Sequence, residues 1–312
     1  MQNARDALTP DNLSMLQAIA DTGSFAAAAR QLGLVPSALT YRVRQIEDAL
    51  DVLLFDRSAR QARPTAAGTE LLREGARLLE DADAIANRVR RVATGWEPQL
   101  TLSVDGVISP TTMLELVEAF YALDPPTQLK WRDGILSGTL EALTSGHADL
   151  AIGVAVGTPT VAGLQSAPLG GVRFVFAVAP HHPLARLPEP LTDAVLRAHR
   201  QIAVADSARR SSVTMGILAG QDVFTVDTLR AKIQAQLRGL GGGFLPEPMI
   251  RPYVEAGHLV VRAVARPARE VPVSYAWGGA SQAAPGRALQ WWLEQLQSTA
   301  TRRALLENHH GV

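Results

Sequence analysis

The sequence predicts a mostly helical N-terminal third that ends in one long helix, followed by an α/β body. Three observations carry this. Apolar residues recur at helical spacing from Leu13 to Val92. Gly95-Trp96-Glu97-Pro98 then breaks the pattern. Beyond it, strand-like runs alternate with helical ones, the texture of an α/β unit on a mostly parallel sheet.

Composition bounds the function. The 312 residues suffice for two or three domains, and 47% hydrophobic content supports a packed core rather than disorder. Lys plus Arg and Asp plus Glu each total 30, so any basic surface must be local. Nearly all the cations are Arg, which suits bidentate contacts to phosphate and guanine. Cysteine is absent, which excludes thiol catalysis, Cys-ligated zinc and disulfides and fits a reducing compartment. Met1-Gln2-Asn3-Ala4-Arg5-Asp6 leads into no apolar signal region, and no run approaches the roughly 18 apolar residues of a membrane span. The expectation is a cytoplasmic protein with no membrane partner.

Leu13, Leu16 and Ile19 mark a first helix over Leu8 to Asp21, capped near Thr9-Pro10-Asp11. Ser24 is a good N-cap for the Ala-rich helix that follows, and Gly33 suits the left-handed residue that ends it. Pro36 fits the first turn of the next helix. There Leu39, Val43, Ile46 and Leu50 form an apolar stripe, while Ser37, Thr40, Tyr41 and Arg44 fall on the opposite side. Hydroxyls, an aromatic ring and a guanidinium can enter a major groove and bond base edges and phosphates. Arg30, Arg42 and Arg44 lie between Asp21 and Glu47 with no carboxylate among them. A helix-turn-helix fits this stretch; a surface helix pair in some other helical domain fits it as well.

Val52 to Arg57 reads as a short strand and Arg63-Pro64-Thr65 as its return, a hairpin in the place of a wing. Arg57, Arg60 and Arg63 could meet phosphates or reach a minor groove, or form a solvated basic loop. The DNA-facing set is Ser24, Ser37, Thr40, Tyr41, Arg42, Arg44, Arg57, Arg60 and Arg63. Ala66 to Thr94 is one long helix with an apolar stripe that needs a partner, either a second copy or the body of the protein.

In the body, strands are expected over Leu100–Val107, Gln128–Arg132, Ala148–Val156, Val172–Ala179, Gln201–Ala205, Gln221–Val226 and Val271–Trp277. Helices are expected over Thr111–Leu123, Gly138–Ser145, Leu191–Ala198, Thr228–Arg238 and, last, Ala288–Leu305. Gly241-Gly242-Gly243-Phe244-Leu245-Pro246 is a Gly-rich strand running into a turn. Two α/β halves in succession suggest two lobes with a ligand cleft at the carboxyl ends of the strands.

These motifs meet a known pattern. Gly23-Ser24-Phe25, Ala28-Ala29-Arg30-Gln31-Leu32, Ser37-Ala38-Leu39-Thr40, Leu54-Phe55-Asp56-Arg57 and Thr65-Ala66-Ala67-Gly68 resemble the LysR-type transcriptional regulators. Gly146 to Gly153, His182-Pro183-Leu184 and Gly239 to Pro246 extend the resemblance over essentially the whole chain. It implies a winged helix-turn-helix over 8–65, a dimerising linker helix over 66–95 and a two-lobed effector domain over 98–312 like a periplasmic binding protein. Lobe I would hold 98–169 and 271–312, and lobe II 170–270. The implied partners are double-stranded DNA, a small-molecule co-inducer, further copies in a homodimer or homotetramer, and RNA polymerase. Val35-Pro36-Ser37-Ala38, Gly95-Trp96, Asp206-Ser207-Ala208-Arg209 and Val226-Asp227 look closest to regulators of allantoin and purine use. Val35 departs from the usual Ser at the start of the reading helix and is a poorer cap, by about 1 kcal/mol.

No catalytic or metal-binding constellation is found. The seven histidines have no metal-ligand spacing, and the glycines at 239–243 lack the Lys-Ser/Thr of a phosphate loop. No cofactor is expected. Candidate effector residues sit in loops after strands: Asp105, Ser137, Ser207, Arg209 and Asp227. For an anion, Arg209 with a helix N-terminus would form a clamp. For a purine-like heterocycle, Asp105 and Asp227 would accept its N–H groups. A ligand-responsive regulator is favoured over a binding module whose N-terminal helices only dimerise, and over an α/β enzyme, which would need an acid/base or nucleophile cluster.

Overall fold

The structure is a computed structural model that describes residues 4–56, 62–155, 163–208, 216–266, 269–278 and 284–309. The chain divides into two compact units, Met1–Arg90 and Arg91–Val312.

The first unit runs α1 (Ala4–Ala7), α2 (Pro10–Thr22), α3 (Phe25–Gln31), α4 (Pro36–Leu50), β1 (Phe55–Asp56), β2 (Arg63–Pro64) and α5 (Ala66–Thr94), the last continuing into the second unit. The caps are those the sequence offers. Thr9 accepts the Asn12 amide at 3.3 Å, Ser24 accepts the Ala27 amide at 3.4 Å, and Gly23 ends α2 at φ 63°. Leu16, Ile19, Ala28, Ala29, Leu39, Val43, Ile46 and Phe55 converge in one core. Two adjacent alanines let α3 approach its neighbours closely.

Two polar devices lock the hairpin to this core. Glu47 is buried, and its carboxylate accepts the Leu54 amide at 2.9 Å. Thr65 donates to the Leu53 carbonyl at 2.7 Å and accepts the Gly68 amide at 3.0 Å, capping α5. Gly68 lies so close to the strand that a Cβ there would sit 2.0 Å from the Leu54 carbonyl oxygen. That contact accounts physically for the glycine in Thr65-Ala66-Ala67-Gly68. The short α1, which buries Ala7, was not expected; four residues carry no readable period.

The second unit begins with β3 (Gln99–Asp105), α6 (Pro110–Tyr121), β4 (Gln128–Gly134), α7 (Ser137–Thr144), β5 (Leu150–Val154) and the long β6 (Leu164–Val178). It continues with α8 (Asp193–Arg197), β7 (Gln201–Val204), β8 (Val223–Val226), α9 (Leu229–Leu237), β9 (Gly243–Pro246), α10 (Glu247–Glu255) and β10 (Val260–Arg262). β11 (Arg269–Gly278), α11 (Arg287–Gln297) and α12 (Thr299–Glu307) close it.

The main sheet has the order β10-β6-β11-β5-β3-β4, with β9 also on β6. The expected mostly parallel sheet is therefore corrected to a mixed one. β4, β3 and β5 are parallel, as are β7 and β8, but β11 is antiparallel to both β5 and β6, and β9 and β10 are antiparallel to β6. The reason is topological: a chain that leaves one lobe on β6 and returns on β11 must run back against itself. Along β6, Leu169 and Val172 pack into the core that holds Trp292, whereas Val175 packs into a separate core with Ile233 and Leu245.

Three other differences have local causes. β6 starts eight residues before Val172, hidden by Gln165, Ser166, Pro168, Gly170 and Gly171. The helix α10 follows the glycine-rich strand β9 despite Pro248 and Pro252. The expected single terminal helix is two, because Ser298 turns extended and its hydroxyl accepts the Thr301 amide at 3.3 Å to start α12.

Candidate functional site

On α4, Ser37 and Arg44 are exposed and Tyr41 is 63% exposed, on the side away from buried Leu39, Val43 and Ile46. Thr40 is half-buried and donates its hydroxyl to the Pro36 carbonyl at 2.9 Å, so towards any outside partner it is an acceptor. Arg63 is exposed on β2. Two candidates differ from expectation. Arg42 lies off that face: at 100° per residue it projects away from Ser37 and Tyr41. It lines a hollow of about 140 Å³ beside α1 with Asp6, Asn12 and Gln45. Ser24 is half-buried, its hydroxyl occupied as the cap of α3. Arg57 and Arg60 lie outside the described residues. Val35 makes no side-chain cap bond, as its chemistry dictates.

The stripe of α5 faces outward. Leu78, Ile85, Val89 and Val92 are 48%, 55%, 65% and 86% exposed, whereas Leu71 and Leu72 pack on the first core. Arg73 pairs with Glu70 and Glu74, and Arg77 with Glu74, on the polar side.

In the second unit, the loop after β7 docks on the β4–α7 corner. Ser207 accepts the Ile135 amide at 2.9 Å through its hydroxyl, and its own amide donates to the Ile135 carbonyl at 3.3 Å. Asp206 accepts the Ser137 hydroxyl and, at 3.2 Å, the Gly138 amide in the first turn of α7. Gly138 admits this approach, since a Cβ would fall 2.0 Å from Ser207 Oγ and 2.7 Å from its carbonyl carbon. Leu229, at the start of α9, lies against Gly106 after β3. The corner and the loop thus bring Ser137 and Ser207 together, as the sequence reading grouped them, but bonded across the cleft rather than lining open space. Asp227 is exposed after β8, and Arg209 lies outside the described residues.

Asp105 is also corrected. It is buried and spends its carboxylate on the Val107 amide, the Leu136 amide and the Thr139 hydroxyl, each at 3.0 Å. Burial pushes its pKa up to about 6 against those bonds, with the Asp206 charge adding to the rise. It is an internal brace of the corner, buried away from the surface a ligand would meet. Sequence position at a strand end pointed to it; burial decided its role.

Two polar groups on α9 were missed. Lys232 is 7% exposed, and burial alone pushes its amine down to about 8. Gln236, one turn on, is fully buried with neither side-chain amide atom bonded among the described residues. A helical reading places both on one face, but only packing reveals that this face lies under Gly243. The glycines serve close packing as expected: a Cβ at Gly241 would meet the Arg200 carbonyl oxygen at 2.6 Å, and one at Gly242 would meet Phe176 and Val178. His182 is buried beside His199, and its Nδ1 accepts the Leu184 amide at 3.2 Å. Burial holds its pKa below the usual value, with the His199 and His181 charges adding to that. Among the described residues no group of three His, Asp or Glu is placed to hold a metal, and no helix is long and apolar enough to cross a membrane.

Comparison with known proteins covers both units. Residues 10–69 match the bacterial regulatory helix-turn-helix protein of the lysR family, and residues 93–301 match the LysR substrate binding domain. The uncharacterized HTH-type transcriptional regulator YeeY of Escherichia coli strain K12 is 35% identical over 287 residues, 92% of each chain. The HTH-type transcriptional activator AllS of Klebsiella pneumoniae is 32% identical over 255 residues, 81% of this chain and 94% of that one. Among solved structures, full-length CbnR complexed with its target DNA aligns with a TM-score of 0.61 at 20% identity, covering 93% of this chain and 99% of that one, a likeness of fold.

Proposed function

The chain belongs to the LysR family of bacterial helix-turn-helix transcriptional regulators, and we propose that it reads DNA with the Ser37, Thr40, Tyr41 and Arg44 face of α4. It is a regulator with an effector-binding domain, not an enzyme. The observation that carries the proposal is the exposure of that face beside Arg63, opposite the buried Leu39, Val43 and Ile46. Tyr41 and Thr40 would meet base edges, and Arg44, Arg63 and the wing arginines Arg57 and Arg60 would meet phosphates. Ser24, whose hydroxyl caps α3, and Arg42, which points off this face, have at most an indirect part.

The test is a titration against an operator and a scrambled duplex at several salt concentrations. Tyr41→Ala should cost roughly 1–3 kcal/mol on the operator and little on the scrambled site. Arg63→Ala should weaken both alike and reduce the salt slope by about 1. Equal behaviour of the two variants would refute the face assignment.

The outward stripe of α5 supports association with a second copy through residues 66–95, with dimers of dimers as the larger assembly. The domain boundaries proposed are 8–65, 66–95 and 98–312, with β6 and β11 as the connections between lobes. The effector would lie between the lobes, bounded by the β4–α7 corner, the loop from Asp206 to Arg209, and Asp227. We take it to be a polar, purine- or ureide-like molecule whose N–H groups Asp227 accepts and whose carbonyls face Arg209. By preferring one closure state it would shift the geometry of the assembly, and hence contact with DNA and with RNA polymerase in the cytoplasm. A library of such molecules screened for a change in operator affinity tests this part separately.

A further inference from the structure

Resting on the cleft as the effector site, we infer that Asp206 determines its specificity, by seating the protein's own carboxylate where an acidic effector would dock. α7 starts with Ser137 and Gly138, and nothing in its first turn is acidic. Its first amides and the Ser137 hydroxyl form a place for an oxyanion, because the early N–H groups of a helix have no partner within it. That place is taken. Asp206, reaching across from the end of β7, accepts the Ser137 hydroxyl with one carboxylate oxygen and, with the other, the Gly138 amide, which it shares with the Ile135 carbonyl, and the Ala208 amide at 3.0 Å. Two donors of the α7 start and the Ala208 amide of its own loop therefore converge on this one side chain. Ser207 packs over Gly138 so closely that not even a Cβ would fit between them.

The consequence is a selection by charge. An effector that docks through a carboxylate must displace Asp206 and lose the contacts the loop makes with Ile135, and it meets a second carboxylate, Asp105, behind the same corner. An effector that presents N–H groups meets the exposed Asp227 carboxylate instead and leaves the seat filled. Of the two ligand chemistries open to this cleft, the structure thus favours the uncharged N–H donor over the anion.

The experiment uses the full chain with sodium acetate as the smallest carboxylate, compared with sodium chloride at equal ionic strength. Tryptophan fluorescence reports the second unit alone, because all five tryptophans, Trp96, Trp131, Trp277, Trp291 and Trp292, lie in it. Wild type should melt at the same temperature in both salts. Asp206→Ala vacates the seat and should rise by roughly 3 °C in 50 mM acetate. Asp206→Asn refills it with a neutral amide and should stay blind to acetate. Asp206→Ser, smaller than Asn, repeats the vacated arm if the alanine variant does not fold. Wild type that binds acetate, vacated variants that do not, or an Asn variant that behaves like the vacated ones would each overturn the assignment. A ligand response in the operator assay that survives any of these results leaves the cleft reading in place and removes only the role of Asp206.

Discussion

Gly138→Ala should hold the two lobes apart while leaving each folded. Gly138 is not among the positive-φ residues, so alanine can adopt its backbone, and in a helix alanine is favoured over glycine by up to about 1 kcal/mol. The cost falls across the cleft. The new methyl would lie 2.0 Å from Ser207 Oγ, 2.7 Å from its carbonyl carbon and 2.8 Å from the Ala208 nitrogen, so the loop must retreat by about 1 Å or more to restore ordinary contact. That retreat breaks the two bonds between Ser207 and Ile135 given above and the two that Asp206 receives from Ser137 and Gly138. At roughly 0.5–1 kcal/mol each for partly exposed bonds, the docked state loses about 2–4 kcal/mol. The docking equilibrium therefore shifts about 30- to 1000-fold. Amide hydrogen exchange reads this directly. The Ile135 amide, whose partner Ser207 lies on the opposite lobe, should lose protection by that factor, while the amide at position 138, which also donates to the Ile135 carbonyl, should lose less, and Leu143 and Ile152 in the body should not change. Unaltered protection at Ile135 would refute the docking argument, and parallel loss at Ile152 would mean that the fold itself had failed.

Two predictions concern pH, both read by melting the second unit through its tryptophans. Lys232 titrates near 8 when folded against 10.5 when unfolded, so between those values the unfolded chain holds more protons and stability rises with pH. Lys232→Met should flatten that rise and stabilise the protein at pH 7 by up to about 3 kcal/mol; a variant melting lower than wild type would contradict the buried, uncompensated amine. Asp105 titrates near 6 when folded against 3.8 when unfolded, so the folded chain holds the extra proton and stability falls as pH climbs through that window. A carbon-detected titration of the Asp105 carboxyl with its midpoint below 4 would remove this account.

Much of the fold was legible because its signals are local. Thr9 and Ser24 announce helix starts by chemistry that needs no tertiary context, and α5 keeps its period over 29 residues. What stayed hidden depends on partners distant in sequence. The first half of β6 reads as loop because its pairing with β11, not its own alternation, makes it a strand. Residue roles followed the same division. Ser37, Tyr41 and Arg44 could be placed on one face by counting along one helix, and the same count sets Arg42 off it, but the hollow beside α1 that Arg42 lines needed the tertiary packing. In the cleft, loop position nominated Asp105 and Ser207, but neither burial nor the reach of Asp206 to α7 is written in the neighbouring residues. Lys232 and Gln236 raised no signal, because an amphipathic helix normally turns such side chains outward.

Those hidden contacts act as one device at the β4–α7 corner. Asp105 holds the Leu136 amide with one carboxylate oxygen, and Leu136 sits at φ 55°, ψ −121°, a conformation that costs a branched, non-glycine residue of order 1–3 kcal/mol. Leu136 is the N-cap residue of α7 and makes no side-chain cap bond, so the first turn keeps its donors for something else. The brace turns the chain so that Ser137 and Gly138 face the opposite lobe, where Asp206 meets them. Protonating Asp105 would weaken the brace and at the same time remove the charge that opposes Asp206. The two effects on docking have opposite signs, which separates them experimentally. If the brace dominates, lowering the pH through 6 speeds exchange at Ile135; if the repulsion dominates, it slows it. An exchange rate with no inflection near 6, once the intrinsic pH dependence is divided out, would mean that Asp105 supports the corner without governing whether the lobes meet.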